Sequence, residues 1–109
     1  MAAKSESDLR YVPCQVEPGM FRGEFLVYVD GLNPNNPEEP VKAQLFADER
    51  DVANVQGRPE RNRPARAWLV VSLVRKARRF AQIVLPQPAQ PFGETLLIGE
   101  EKVKREAGT

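Results

Sequence analysis

The chain of 109 residues has no histidine and a single cysteine, Cys14. Without histidine it lacks the usual general base near neutral pH and the commonest metal ligand. A lone thiol can form neither an intrachain disulfide nor a zinc site, and it fits a reducing compartment. Phosphate-binding glycine loops and nucleophile elbows are also absent from the sequence. We therefore expect a non-catalytic protein without cofactor or metal, in which Cys14 is a small buried side chain.

Long apolar runs are missing as well. The longest mainly apolar stretch, Ala67 to Val74, is far shorter than the roughly 20 residues that a membrane span needs. The first eight residues are polar and lack the apolar segment of a secretory signal. We expect a soluble cytoplasmic protein with no membrane partner. The length fits one domain, which we place at residues 9–104 between a disordered tail, 1–8, and a frayed tail, 105–109.

Strand patterns dominate what is present. The segment Glu24 to Asp30 alternates, with Phe25, Val27 and Val29 on one face, which is typical of a half-buried strand. Shorter patterns of the same kind predict strands at Leu9–Val16, Val41–Phe46 and Glu94–Ile98. Within the first of these, Pro13 requires a sheet edge or a bulge because it lacks an amide proton.

Two apolar runs, Ala67–Val74 and Phe80–Leu85, flank the basic break Arg75–Arg79. Because both runs are rich in β-branched residues, we interpret them as a β-hairpin with a basic tip rather than as one long helix. The whole chain then has five or six short strands. An all-β chain of this size must bend or close its sheet, so we predict a small barrel comparable in size to SH3-like or oligonucleotide-binding barrels.

Proline-rich segments separate the predicted strands. Residues 33–40, which hold three of the ten prolines, and residues 86–93 are expected to be exposed loops, because proline removes a donor and restricts its predecessor. Residues 56–64 form a third, polar loop. Asp48 is expected to cap a single helical turn.

The alternation also predicts a hydrophobic core, although either face of the 67–74 run could be the inner one. The predicted members are Phe25, Val27, Val29, Leu69, Val71, Leu73, Ile83, Leu85, Leu97 and one face of Val41–Phe46, which holds Val41, Ala43 and Leu45.

Charge is segregated although the chain totals only +1. Between Arg58 and Arg79 eight basic residues and one acidic residue, Glu60, give +7, which leaves −6 for the remaining residues. Such a local field suits an anionic partner. Arginine predominates, and its planar fork binds phosphate in a bidentate manner. The predicted nucleic-acid-binding residues are Arg63, Arg66, Arg75, Lys76, Arg78 and Arg79.

Trp68 and Phe80 flank the hairpin and decide how the basic residues are interpreted. If exposed, the rings offer stacking platforms for single-stranded nucleic acid. If they belong to the core, the arginines form only a solubilising tip.

Three functional hypotheses therefore stay open. The first is a binding or accessory module for nucleic acid, and the second is a protein-interaction or self-associating subunit whose basic zone meets acidic surface. We expect Met20 and Phe21 to anchor the turn that follows Pro18-Gly19 into the core; if they are exposed instead, they would mark such a contact. The third is an enzyme whose folding brings two carboxylates together.

Overall fold

The computed structural model describes residues 8–108, so most of the predicted disordered tail and Thr109 lie outside the described residues. The described chain is all-β, with seven strands and two 3₁₀ turns, Glu49–Asp51 and Glu100–Lys102. The strands are β1 Leu9–Pro18, β2 Glu24–Asn33, β3 Asn36–Asp48, β4 Val52–Ala53, β5 Ala65–Lys76, β6 Phe80–Ala89 and β7 Gly93–Gly99. No helix within residues 8–108 is long and apolar enough to cross a membrane.

Five of the strands close into an antiparallel barrel. The order is β1-β2-β7-β6-β5, and β5 pairs back onto β1 over Leu9 to Val16. The two other strands extend the wall, β3 beside β2 and β4 beside β5. The predicted fold class is therefore confirmed, and closure gives the five barrel strands partners on both sides.

The seam between β2 and β7 depends on Gly31. Only Leu32 and Leu97 are paired along this seam. A Cβ on Gly31 would lie 2.7 Å from Leu96 Cδ2 and from the Leu97 carbonyl oxygen. The alternating sequence pattern ends at Asp30. β2 nevertheless continues to Asn33, because the missing side chain lets the two strands approach each other.

Pro13 lies where β1 has a strand partner on one side only. It is paired with Trp68 of β5, whereas pairing with β2 begins at Gln15. Tyr11 exchanges both backbone hydrogen bonds with Lys104 on the β2 side. Alternate residues of a strand direct their amide groups to the same side. The nitrogen of Pro13 therefore points to the β2 side of β1, between the contact of Tyr11 with Lys104 and the first β1–β2 pair at Gln15. The expected edge position is therefore confirmed locally.

The core follows the predicted alternation except in β7 and at the end of β5, where Leu73 is only half-buried and the adjacent Ser72 is buried. Val27, Val29, Leu69, Val71 and the other fully buried side chains point into the barrel. Their buried companions are Val12, Cys14, Val16, Ala43, Leu45, Ala47, Ala65, Ala67, Ala81, Ile83, Leu85, Ala89, Leu96 and Ile98, with Phe25, Val41, Val52, Val55, Leu73 and Val103 packed against them.

The prediction for Leu97 was wrong. Leu96 is fully buried and Ile98 is 1% exposed, whereas Leu97 is only half-buried on the outside. Three consecutive aliphatic residues fit either phase of a strand, so the alternation could not identify the inner face. The pairing of Ile83 with Leu96 across β6 and β7 determines it.

Both proline segments contain more strand than we predicted. β3 begins at Asn36. Its pairing with β2 changes register between Leu32 and Asn33. As a result Pro40 pairs with Leu32, and Pro37 lies in the irregular stretch. Likewise β6 runs on through Pro86 to Ala89 and ends at a tight turn. Proline is tolerated in strands at such bulges and edges, where no ladder donor is needed.

Two local predictions are confirmed. Asp48 caps the 3₁₀ turn, with its carboxylate accepting from the Arg50 amide at 2.8 Å. The β5–β6 hairpin forms with its turn closed by the Ala77 amide donating to the Phe80 carbonyl at 2.8 Å.

The last described residues contact the loop that follows β4. Asn54 Nδ2 donates to the carbonyls of Gly108 at 2.9 Å and Ala107 at 3.4 Å. The segment thus returns across β1 and β4 rather than leaving the barrel.

Candidate functional site

Strand β5 divides the basic region into two distant halves. Arg66 stands near its beginning and Arg75 near its end, nine residues later. At about 3.3 Å per residue this corresponds to roughly 30 Å along the strand. The +7 segment is therefore continuous in sequence but forms two separate basic surfaces.

The hairpin tip is partly neutralised. Lys76 Nζ lies 3.8 Å from Glu100 Oε1, and the Glu100 amide donates to the Arg79 carbonyl at 3.0 Å. Arg78 and Arg79 are exposed and share a shallow depression with Lys76, Glu100 and Glu101. The acidic 3₁₀ turn after β7 thus weakens the field of the tip.

At the other end, Arg63 is also paired. Its guanidinium lies 3.8 Å from Glu60, and the two residues exchange backbone hydrogen bonds that close the loop. Arg66 is exposed, and none of the ion pairs formed within residues 8–108 includes it. Of the predicted binding residues, Arg66 is therefore an arginine whose charge is not offset by a neighbouring carboxylate in the described chain.

Trp68 and Phe80 both lie outside the core. Trp68 is half-buried and alternates with the buried Ala67 and Leu69, so its ring is on the outer face of β5. Phe80 is half-buried at the start of β6. The hypothesis that both rings are core residues is therefore wrong, and each half of the basic region has an aromatic ring beside it.

The first ring borders a cleft of about 380 Å³ that crosses the outer face of β1. Gln15 lies on its floor, because it pairs with Tyr28 on one side and with Arg66 on the other. Pro13, two residues earlier, pairs with Trp68. The full lining is Pro13, Cys14, Gln15, Tyr28, Asp30, Gln56, Arg66, Ala67, Trp68 and Lys102.

The electrostatics of this cleft favour an anionic ligand. Arg66 and Lys102 are its basic residues, and the acidic Asp30 lies 3.8 Å from Lys42. The pKa of Tyr28 is raised, first by loss of solvent and then by the nearby Glu17 carboxylate, which accepts from its hydroxyl. Tyr28 therefore stays a neutral ring, available for stacking and hydrogen bonding.

Of the residues that line this cleft, sequence reasoning singled out only Arg66 and Trp68 for binding; among those it missed are Gln15, Tyr28, Gln56 and Lys102. One signal was available for Tyr28, which occupies the outward phase of β2, where polar residues are usual. The approach of Gln56 and Lys102 depends on the fold. Gln56 is brought in by its amide, which donates to the Arg66 carbonyl at 2.8 Å.

The second ring borders a groove of about 320 Å³ at the other end of the barrel. The β5–β6 hairpin forms one wall and the β2–β3 turn the other. The lining residues are Pro34, Pro37, Arg75, Ala77, Phe80, Gln82, Thr95 and Leu97. We refer to these two sites as the Trp68 cleft and the Phe80 groove.

Cys14 points into the barrel. It is 7% exposed, and burial raises the pKa of its thiol to about 12, so thiolate chemistry is suppressed. Among residues 8–108, no three histidine, cysteine or carboxylate side chains gather in an arrangement that could hold a metal ion.

No protein-family model, curated protein or solved structure matches this chain.

Proposed function

We propose that the protein is a non-catalytic binding module that holds single-stranded nucleic acid in the Trp68 cleft. The observation that carries this proposal is the grouping of Trp68, Tyr28 and Arg66 around Gln15 on an open sheet face. Aromatic rings stack on bases of any sequence, and an arginine fork binds the phosphate between them.

The surroundings of the cleft support the same partner. Residues 56–64, which follow β4, add Arg58, Arg61 and Arg63 beside Arg66. The Asn62 amide donates to Glu17 Oε1 at 3.4 Å, which ties this loop to β1. A basic loop anchored next to two rings is the arrangement expected for backbone contacts that flank stacked bases.

Protein interaction is the second candidate function, and the β1–β2 turn is the observation that favours it. Met20 and Phe21 are 75% and 72% exposed. Glu24 holds this turn in place, since its carboxylate accepts from the Met20 amide at 3.0 Å and its carbonyl from the Gly19 amide at 2.9 Å. Exposed apolar side chains on an ordered turn suit contact with another protein.

Intrinsic fluorescence tests the first candidate, because Trp68 is the only tryptophan in the chain. We expect saturable quenching when oligothymidine of about 12 nucleotides is added at about 50 mM salt. Tyr28→Ala should weaken binding roughly 5- to 150-fold, the loss expected for one stacked base.

Phe80→Ala is the matched control, because it removes a half-buried outer ring at the opposite end of the barrel. It should leave the affinity unchanged. If the unaltered protein shows no quenching, and no binding by fluorescence anisotropy of a labelled oligonucleotide, nucleic acid is removed as the partner.

A further inference from the structure

We propose that the Phe80 groove is a second, separate binding site. It binds an extended peptide segment of another protein, in which an apolar side chain that enters the groove stands next to a carboxylate. This inference does not rest on nucleic-acid binding in the Trp68 cleft.

The groove presents apolar side chains on the outer surface of the barrel. Leu97 lies in the outward phase of β7, between the buried Leu96 and Ile98. Phe80 lies diagonally across from it on β6, since Gln82 pairs with Leu97 and Phe80 with Gly99, and both Phe80 and Leu97 are only half-buried. Outward aliphatic and aromatic residues that meet in a concave site are typical of anchors for a bound side chain.

The opposite wall is held in place before any ligand binds. Pro34 lies in the β2–β3 turn and Pro37 at the start of β3, and their rings restrict the backbone of this wall. The Asn33 side chain accepts from the Asn35 amide at 2.9 Å, and Asn36 accepts in the same way from Glu38 at 3.3 Å. A preformed wall lowers the ordering cost of binding, which favours even a short peptide.

The positive charge of the groove determines which group of the peptide binds next to its apolar side chain. Arg75 is the charged residue of the lining, and Arg78 and Arg79 follow in the adjoining turn. None of the ion pairs within the described part of the chain involves these three arginines. The guanidinium of Arg75 can therefore bind a carboxylate in a bidentate manner at the rim of the groove.

The lining favours a peptide over a nucleic acid. Two prolines, Leu97 and Ala77 surround the half-buried Phe80, so the site is a pocket for an aliphatic or aromatic side chain. Gln82 and Thr95 add hydrogen-bonding groups that suit the backbone of an extended peptide. Base stacking is instead favoured by neighbouring rings such as Tyr28 and Trp68, which both line the Trp68 cleft.

Amide chemical-shift mapping of the full chain by NMR tests the proposal. The probe is a capped peptide of about seven residues with phenylalanine between two aspartates in a glycine-serine frame. We expect saturable shifts at residues 77–82 and 95–97 and none at 13–15 or 66–68. Peptides with serine replacing phenylalanine, or lysine replacing both aspartates, should cause little change.

Matched arginine variants examine the role of charge. Arg75→Ala should weaken peptide binding by about tenfold or more, the usual loss for a hydrogen bond to a charged group. Arg66→Ala, at the far end of the same strand, should have no effect. Leu97→Ser should abolish binding while amide dispersion shows that the barrel remains folded.

Three results would overturn the proposal: no shifts in the groove with the aspartate peptide, equal shifts with the lysine peptide, or shifts in the groove with oligothymidine instead. Because the probe and mapped residues differ from those of the Trp68 cleft, each site can fail independently.

Discussion

Gly108 lies against the indole of Trp68, so closely that a Cβ on residue 108 would be 2.5 Å from Trp68 Cζ2. The contact is maintained by Asn54, whose side-chain amide donates to the Gly108 carbonyl at 2.9 Å. The end of the described chain therefore covers part of the ring that borders the Trp68 cleft. Only a residue without a side chain can approach the ring so closely.

Gly108→Ala should open this contact. Since the added methyl group cannot fit, either the segment or the indole must move, and Trp68 becomes more exposed. We expect a red shift of Trp68 emission and stronger quenching by acrylamide. Glu106→Ala, on an exposed residue of the same segment, should change neither. Identical spectra for all three proteins would show that Gly108 does not shield the ring in solution.

Leu96 and Leu97 are adjacent, chemically identical and opposite in orientation. Leu96→Ala leaves a cavity in the core and should cost about 2–5 kcal/mol in the free energy of unfolding. Leu97→Ala removes a half-buried outer side chain and should cost less, about 1 kcal/mol or below. Chemical denaturation of the two variants checks the register of β7. Equal losses, or the reverse order, would contradict it.

The fold was largely predictable because most of its strands can be recognised from the alternation of apolar and polar residues over a few positions. In β2, Val27 and Val29 alternate with Tyr28 and Asp30, so that the inner face was evident. In β7 both phases are apolar, and only pairing with β6 distinguishes Leu96 from Leu97. The strand portions that contain Pro37 and Pro86 were missed because proline, which has no amide proton, usually ends a strand. The residues around it do not show at which positions the β-ladder needs no amide donor.

The candidate sites were less predictable for a geometric reason. Arg66 and Arg75 belong to one charged segment in sequence, but a strand between them places them at opposite ends of the barrel. Conversely, Gln15 and Tyr28 join Trp68 through the β1–β2 and β1–β5 pairings, which no local pattern encodes. Composition identified the kinds of residue involved, and the topology decided which of them meet.

Cys14 should be unreactive in the folded protein. Its pKa is raised from 9.0 to about 12 by burial, which lowers the thiolate fraction at pH 8 by about a thousandfold. Labelling with a thiol reagent should therefore be very slow in native buffer and rapid in denaturant. As the pH rises toward the thiol pKa of about 12, the native rate should increase by about tenfold per pH unit, because the thiolate fraction grows in that proportion. Fast labelling at pH 8 without denaturant would show that the barrel opens around β1.

The salt dependence of oligonucleotide binding identifies which basic surface contacts phosphate. Each lost contact with a single strand should flatten the slope of log affinity against log salt by about 0.7. We expect Arg66→Ala to weaken binding and reduce the slope by about this amount, because Arg66 lines the Trp68 cleft. The fourfold alanine variant of Arg75, Lys76, Arg78 and Arg79 should change neither quantity appreciably, although it removes four times as much charge.

This comparison separates local contact from general attraction. Exposed charges contribute little to stability, so both variants should fold normally, and circular dichroism can verify this. If affinity simply follows net charge, the fourfold variant must be the weaker binder. That result would return the nucleic-acid interface to the hairpin tip. A larger effect from Arg66→Ala alone can arise only if phosphate lies beside the Trp68 cleft, since the two surfaces are separated by most of the length of β5.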